Sequence, residues 1–320
     1  MNKILSSVEF VVKNAKHVRI NNNALLKFAS NFKGRKNNHW LSEAPLDFSN
    51  FNDEEILNFL LVYSATGFCY WGNPKWHIDY EGVKHEGSFA MIAAIMKAHK
   101  NGVKILNPEY RSKMDKEEYS KVLEISKSNK ILLFDERLKF LNESGKVIID
   151  KYQGKVSNLF KFAKGDVIKL IEILIKNFSA YDDSYKYKGK DVYFYKKAQL
   201  FISDVFQTFQ NKGIGKLINS EELTALADYR IPQTFKNLGI LEYSEYLENK
   251  IANGELIQGG SEEEIEIRAS MILAVQLIHD IVKEREGKIL PIEINDQMWL
   301  LRRLRFPNDE VHHKTITTSY

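Results

Sequence analysis

Three segments of this 320-residue sequence gather aromatic and ionisable side chains more densely than packing requires. Leu223-Thr224-Ala225-Leu226-Ala227-Asp228-Tyr229-Arg230-Ile231-Pro232-Gln233 sets Asp228 and Arg230 in an otherwise apolar run punctuated by proline. A carboxylate pressed into apolar surroundings is either paired or at work, so this stretch reads as a structural Asp–Arg ion pair or as a catalytic acid. Phe68-Cys69-Tyr70-Trp71-Gly72-Asn73-Pro74-Lys75-Trp76 holds four aromatics in nine residues. Such a run either stacks on a planar base or packs the core where a helix turns into a hairpin. The third segment joins Tyr181-Asp182-Asp183 to Tyr193-Phe194-Tyr195-Lys196-Lys197-Ala198-Gln199. Neighbouring aspartates suit a hard cation, yet no ligand ladder continues from them, and a helix cap or solvated turn is the commoner fate. Lys196 and Lys197 can meet a phosphate or simply sit in water.

Other chemistries find little footing. No G-x-G-x-x-G follows a strand and no G-x-x-x-x-G-K-[ST] occurs. Lys212-Gly213-Ile214-Gly215-Lys216 carries two glycines between lysines and reads as a turn. Cys69 is the single cysteine, so no internal disulfide or Cys-x-x-Cys zinc site is available, which fits a reducing compartment. The eight histidines include no H-x-x-x-H or H-E-x-x-H spacing. We therefore expect no metal and no organic cofactor. Lysine and arginine number 46 against 42 aspartates and glutamates, a net +4 too small and too dispersed to signal a nucleic-acid partner. Met1 to Lys16 does not read as a secretory segment, and no apolar run approaches the roughly 20 residues that span a bilayer. The expectation is a soluble cytoplasmic chain, monomeric by default, without a membrane or stable nucleic-acid partner.

The elements that must position these residues are mostly helical. Ile56, Leu57, Leu60, Leu61 and Tyr63 predict a helix over Asp53–Thr66, and Leu159, Phe160, Val167, Leu170, Ile171 and Leu174 predict one over Val156–Phe178. Glu264–Glu286 repeats apolar residues at three- and four-residue steps, with acidic residues first and Lys283 and Arg285 last, as the helix dipole prefers. Trp76–Phe89 reads as a hairpin turning at Glu81-Gly82, and Val192–Tyr195 as a strand. Lys186–Asp191 and Gly254–Ser261 read as loops within one body. The fold class is mainly α with a small β-hairpin and strand component, in one globular domain over residues 1–320.

These segments resemble the queuosine salvage family, the queuosine 5′-phosphate N-glycosylase/hydrolases. Ser7–Ala15 is similar to the family's N-terminal helix, and Phe68–Trp71 to its F-x-[FY]-W motif. Tyr195-Lys196-Lys197-Ala198-Gln199 with Asp204 resembles its Y-K-R-A-Q…D element. Leu223–Gln233 resembles T-x-x-A-D-Y-R-[VIL]-P-Q, Glu264–Ala269 resembles E-x-x-I-R-A, and His312-His313-Lys314-Thr315…Tyr320 resembles H-R-T-x-x-x-Y. The chain departs from the family pattern at Lys197 and Asp182, where arginine is usual, and at Gly87-Ser88-Phe89, where a G-Y-W-like run is usual.

The resemblance implies a helix-rich fold similar to helical DNA glycosylases. It also implies hydrolysis of queuosine 5′-monophosphate, a small-molecule substrate, to queuine and ribose 5-phosphate. It places Asp228 as the catalytic carboxylate that stabilises an oxocarbenium-like state and orients water. Asp183 would accept from the base, Phe68 and Trp71 would stack on it, and Lys196 would serve the phosphate or ribose. Tyr229 would contact substrate, and Arg230 would fix Asp228 or contact substrate. The alternatives are a glycosidase of the same fold acting on another nucleoside or on nucleic acid, and a non-catalytic binder of queuine or a nucleotide.

Overall fold

Helix formation begins with caps written into the sequence. In the computed structural model, which describes residues 2–33, 39–302 and 311–320, Asn52 accepts the amide of Glu55 while the Glu55 carboxylate accepts the amide of Asn52. This reciprocal capping box, worth about 1 kcal/mol, starts the helix Asp53–Thr66 at the expected residue. Asp115 and Glu118 repeat the device, and Ser261 caps the longest helix, Glu262–Glu286.

Among the described residues the helices are α1 Lys3–Lys13, α2 Asn22–Asn31, α3 Asp53–Thr66, α4 Ser88–Lys100, α5 Pro108–Arg111, α6 Lys116–Val122 and α7 Phe134–Tyr152. They continue as α8 Val156–Ala163, α9 Val167–Asn177, α10 Lys196–Thr208, α11 Arg230–Asn237, α12 Glu245–Ala252, α13 Glu262–Glu286 and α14 Pro291–Leu301. Among the same residues, strands occur only as antiparallel pairs: β1 Val18–Ile20 with β6 Leu241–Tyr243, β2 His77–Tyr80 with β3 Val83–Glu86, and β4 Ser184–Tyr187 with β5 Lys190–Tyr193. The protein is mainly α with a small β component, as expected. None of its described helices is long and apolar enough to cross a membrane.

Two helices organise the rest. From Leu57 to Thr66 every residue of α3 is buried; packed by α4, α7, α8 and α10, it is enclosed all round rather than along one stripe. α13 is packed by α1, α2, α11 and α14. One cluster of buried apolar side chains runs through both groups, from Ile4 to Met298.

Two local expectations are corrected. The helix read over Val156–Phe178 is α8 and α9, broken at Lys164 and Gly165, which both adopt left-handed φ (53° and 68°). Asp166 then caps α9 by accepting the Lys169 amide. Glycine followed by aspartate stops one helix and starts another, although the apolar period continues across the break. Lys186–Asp191 is a hairpin rather than a loop: β4 and β5 pair Tyr187 with Lys190 around Lys188-Gly189, whose φ values of 47° and 80° suit a tight hairpin turn. The Trp76–Phe89 hairpin turns where expected, Tyr80 pairing with Val83 around Glu81-Gly82.

Candidate active site

A cavity of about 550 Å³ opens where α3, α4 and α10 meet α11 and α14, a volume suited to a small organic ligand. Its wall includes Lys196, Asp228, Tyr229 and Arg230, four of the residues singled out in the sequence.

Asp228 sits just before α11. Its Oδ1 accepts the amides of Arg230 at 2.9 Å and Ile231 at 3.0 Å, so the carboxylate caps the helix. Pro232, in the first turn, costs that helix no internal bond. Burial raises the Asp228 carboxyl above its ordinary range; the Ile231 amide, the Lys196 charge and the Arg230 amide and charge oppose the rise. Rather than meeting the Asp228 carboxylate in a salt bridge, the guanidinium of Arg230 lies 5.2 Å over the Tyr229 ring, and its Nη1 donates to Gln233 Oε1 at 3.4 Å.

Lys196 opens α10. Burial lowers its ammonium, and three carboxylates, Asp228, Asp204 and Asp183, pull it back. Its backbone amide donates to Asp183 Oδ2 at 3.1 Å.

Asp183 does not line the cavity. Arg268, wholly buried on α13, grips it through two bonds, Nη1 to Oδ1 at 2.9 Å and Nη2 to Oδ2 at 2.6 Å. The same guanidinium donates from Nε to the Ala227 carbonyl at 3.3 Å and from Nη1 to Glu264 at 3.3 Å. Burial works against its charge, but Asp183 and Glu264 hold that charge above its ordinary value. One side chain of α13 thus ties the residue before Asp228 to the aspartate that holds the start of α10.

Phe68 and Trp71 also lie off the cavity, to which their segment contributes Gly67 and Tyr70. Phe68 is fully buried, edge-on to Phe140 at 5.8 Å, with the Arg137 guanidinium 4.2 Å above its ring. Trp71 Nε1 donates to the Thr315 carbonyl at 3.1 Å, and the Cys69 amide donates to the Tyr320 carbonyl at 2.7 Å. The segment clamps residues 311–320 across the body and brings Tyr320 to the cavity. Tyr229 packs on His312 at 4.7 Å and on Tyr320 at 6.3 Å. His313 is buried, and burial pushes its imidazole down to about 3, which keeps it neutral.

The aromatic wall comes instead from Trp40, Tyr63, Phe89 and Trp299. Trp40 stacks near Phe89 at 6.3 Å and meets Trp299 edge-on at 5.3 Å. Beside them Asp296, buried, accepts from Gln207 at 2.9 Å and Asn295 at 3.2 Å. Burial pushes its carboxyl up to about 6, with His39 opposing and Asp204 adding. Asp204 accepts from the Trp40 indole at 2.9 Å and lies 3.0 Å from His39 Nε2, so it ties this layer together while its charge also acts on Lys196.

Residues 47–320 match the model of a family described as Queuosine salvage protein. The chain belongs to that family. A relative from Sphaerobacter thermophilus is 31% identical over 320 residues, 99% of this chain and 97% of its own. One from Dictyostelium discoideum is 30% identical, covering 96% of this chain and 95% of its own. A third, from Mus musculus, is 31% identical over 76% of this chain and 73% of its own. Each bears the name queuosine 5′-phosphate N-glycosylase/hydrolase.

In this member of the queuosine salvage family, Trp40, Asp296, Trp299 and Arg302 line the cavity without having been singled out in the sequence. A signal was present for Asp296 and Trp299. Positions 296 and 299 lie three apart on α14 and carry polar and aromatic groups beside the apolar Ile292, Ile294 and Met298.

Proposed function

We propose that this chain hydrolyses the N-glycosidic bond of queuosine 5′-monophosphate, releasing queuine and ribose 5-phosphate. The observation that carries the reading is a buried, helix-capping carboxylate, Asp228, on the wall of a nucleotide-sized cavity in a chain of this family.

Departure of the base leaves positive charge at C1′ and O4′ of the ribose. Asp228 Oδ1 is committed to α11, so Oδ2 is the oxygen offered to that charge and to the attacking water. A fixed anion stabilises the transition state without reorganising at the moment of reaction. The Ile231 amide and the Lys196 charge both favour the ionised form of this carboxylate, against the rise that burial brings. Queuine has carbon where an ordinary purine has N7, so its departure is eased by hydrogen bonds to its other edges. Trp40, Phe89 and Trp299 provide faces for the base, and Asp296 a polar group beside it. Asp183, with both oxygens on Arg268, acts here as a positioning residue that holds Lys196 and, through Arg268, Ala227. Trp71 holds residues 311–320, and Phe68 packs against Phe140 and Arg137; neither lines the cavity offered to the base.

Incubating the purified protein with queuosine 5′-monophosphate and assaying queuine by mass spectrometry tests the reading. Stoichiometric queuine and ribose 5-phosphate are expected. Binding of the nucleotide without release of queuine would overturn it in favour of a carrier.

A further inference from the structure

Gln233, buried on the first turn of α11, receives two arginines on one oxygen. Arg230 Nη1 donates to its Oε1 at 3.4 Å, and Arg302 Nε donates to the same atom at 2.8 Å. Arg230 lies two residues after Asp228 and Arg302 lies just beyond α14, yet both guanidiniums face the cavity. Two like charges held against one acceptor repel each other, and a dianion placed between them turns that repulsion into attraction. Planar guanidinium forks match phosphate oxygens in pairs, which a lone ammonium cannot do.

The geometry points to Arg230 and Arg302, bridged by Gln233, as the seat of the substrate's 5′-phosphate, with Arg302 as the specificity-determining residue for the phosphorylated nucleotide. This rests on the activity proposed above and deepens it. Three further observations support the assignment. The Arg230 amide is itself bonded to Asp228 Oδ1, so the seat adjoins the carboxylate assigned to C1′, as a phosphate one ribose away requires. The amides at the start of α11 are already taken by Asp228, so side chains rather than the helix end must hold an anion there. Lys196, another cation on the wall, stands among Asp228, Asp204 and Asp183, whose charges oppose the loss of its own on burial.

The test compares kcat/KM on queuosine 5′-monophosphate with that on the unphosphorylated nucleoside, in wild type, Arg302→Gln and Arg302→Lys, with melting temperatures for each. Arg302→Gln is expected to lose about 10- to 100-fold on the monophosphate and to stay within about twofold on the nucleoside. Arg302→Lys, which keeps the charge without the fork, is expected to fall between. Equal loss on both substrates, or no loss on either, overturns the assignment. If Arg302→Gln does not fold, the Arg302→Lys ratio decides alone: a selective loss supports the seat and an equal or absent loss overturns it. If wild type turns over neither substrate, the proposed activity has failed while the seat is still tested, through the affinity for ribose 5-phosphate. Weaker binding in Arg302→Gln supports the seat, and unchanged binding overturns it.

Discussion

Because Oδ1 of Asp228 serves the Arg230 and Ile231 amides, asparagine at this position keeps an oxygen for the helix and removes only the charge. Asparagine and aspartate are about equal as helix caps. Asp228→Asn should therefore lower kcat by at least about 100-fold while leaving the melting temperature nearly unchanged; assay and calorimetry on the same preparation check both halves. Near-normal kcat in that variant would move the catalytic role to another group on the wall, with Asp296 the nearest choice. Lys196 belongs to the same microenvironment. Read in the sequence as a phosphate or ribose ligand, it stands among three carboxylates. Lys196→Ala should therefore depress kcat/KM on the nucleotide and on the nucleoside alike. A loss confined to the nucleotide would return the phosphate to Lys196 and count against the Arg230–Arg302 seat.

At the scale of elements, α13 does more than fill the core. Its Arg268 holds Asp183, Glu264 and the Ala227 carbonyl at once, with Phe194 4.0 Å and Tyr320 4.6 Å from the guanidinium carbon. Removing one partner of such a buried network strands the others. Arg268→Met should destabilise the fold by about 3–5 kcal/mol, read as a shift of the urea midpoint. A change below about 1 kcal/mol would show the network to be no stronger than a surface pair. Caps and periodicity made much of this architecture legible: α3, most of α13 and the Glu81-Gly82 turn follow from local chemistry. Three features were hidden for physical reasons. The Gly165-Asp166 break lies inside an unbroken apolar period. The β4 strand alternates tyrosines with solvent-facing Ser184 and Lys186, so it looks polar. The Phe68–Trp71 aromatics satisfy a stacking rule locally, and only tertiary packing turns them toward residues 311–320. Of the site itself, Asp228 and Arg230 stand out as charged groups in an apolar run and Lys196 as a lysine after an aromatic strand, while Tyr229 came only with the family resemblance. Trp40 and Arg302 do not stand out, because nothing near them in the chain marks them.

For the whole molecule, acidity has a definite sign. Burial pushes His312 down to about 4 and His313 down to about 3, against an ordinary value of about 6.5. With folded values depressed, their contribution is complete above pH 6.5 and is lost as pH falls toward 4 and then 3, because the unfolded chain takes up protons first. The loss should amount to a few kcal/mol, on the order of 1.4 for each pH step of one over which only the unfolded chain is protonated. Asp296, raised to about 6, acts oppositely: protonation favours the fold between pH 6 and about 4 and offsets part of the loss. Urea midpoints at pH 7 and 5 should show a decline that His313→Gln flattens. A midpoint that rises on acidification would contradict the assignment.

The cavity wall is drawn from positions as far apart as Trp40 and Tyr320, with Tyr63, Phe89, Lys196, Asp228 and Asp296 between them. Helices can form and pair locally, but a surface assembled from such distant segments must wait for nearly all of the long-range docking to finish. Turnover is thus a late clock in refolding. After dilution from denaturant, far-ultraviolet ellipticity should recover first and catalytic rate last, so that an intermediate with most of its helix content is still inert.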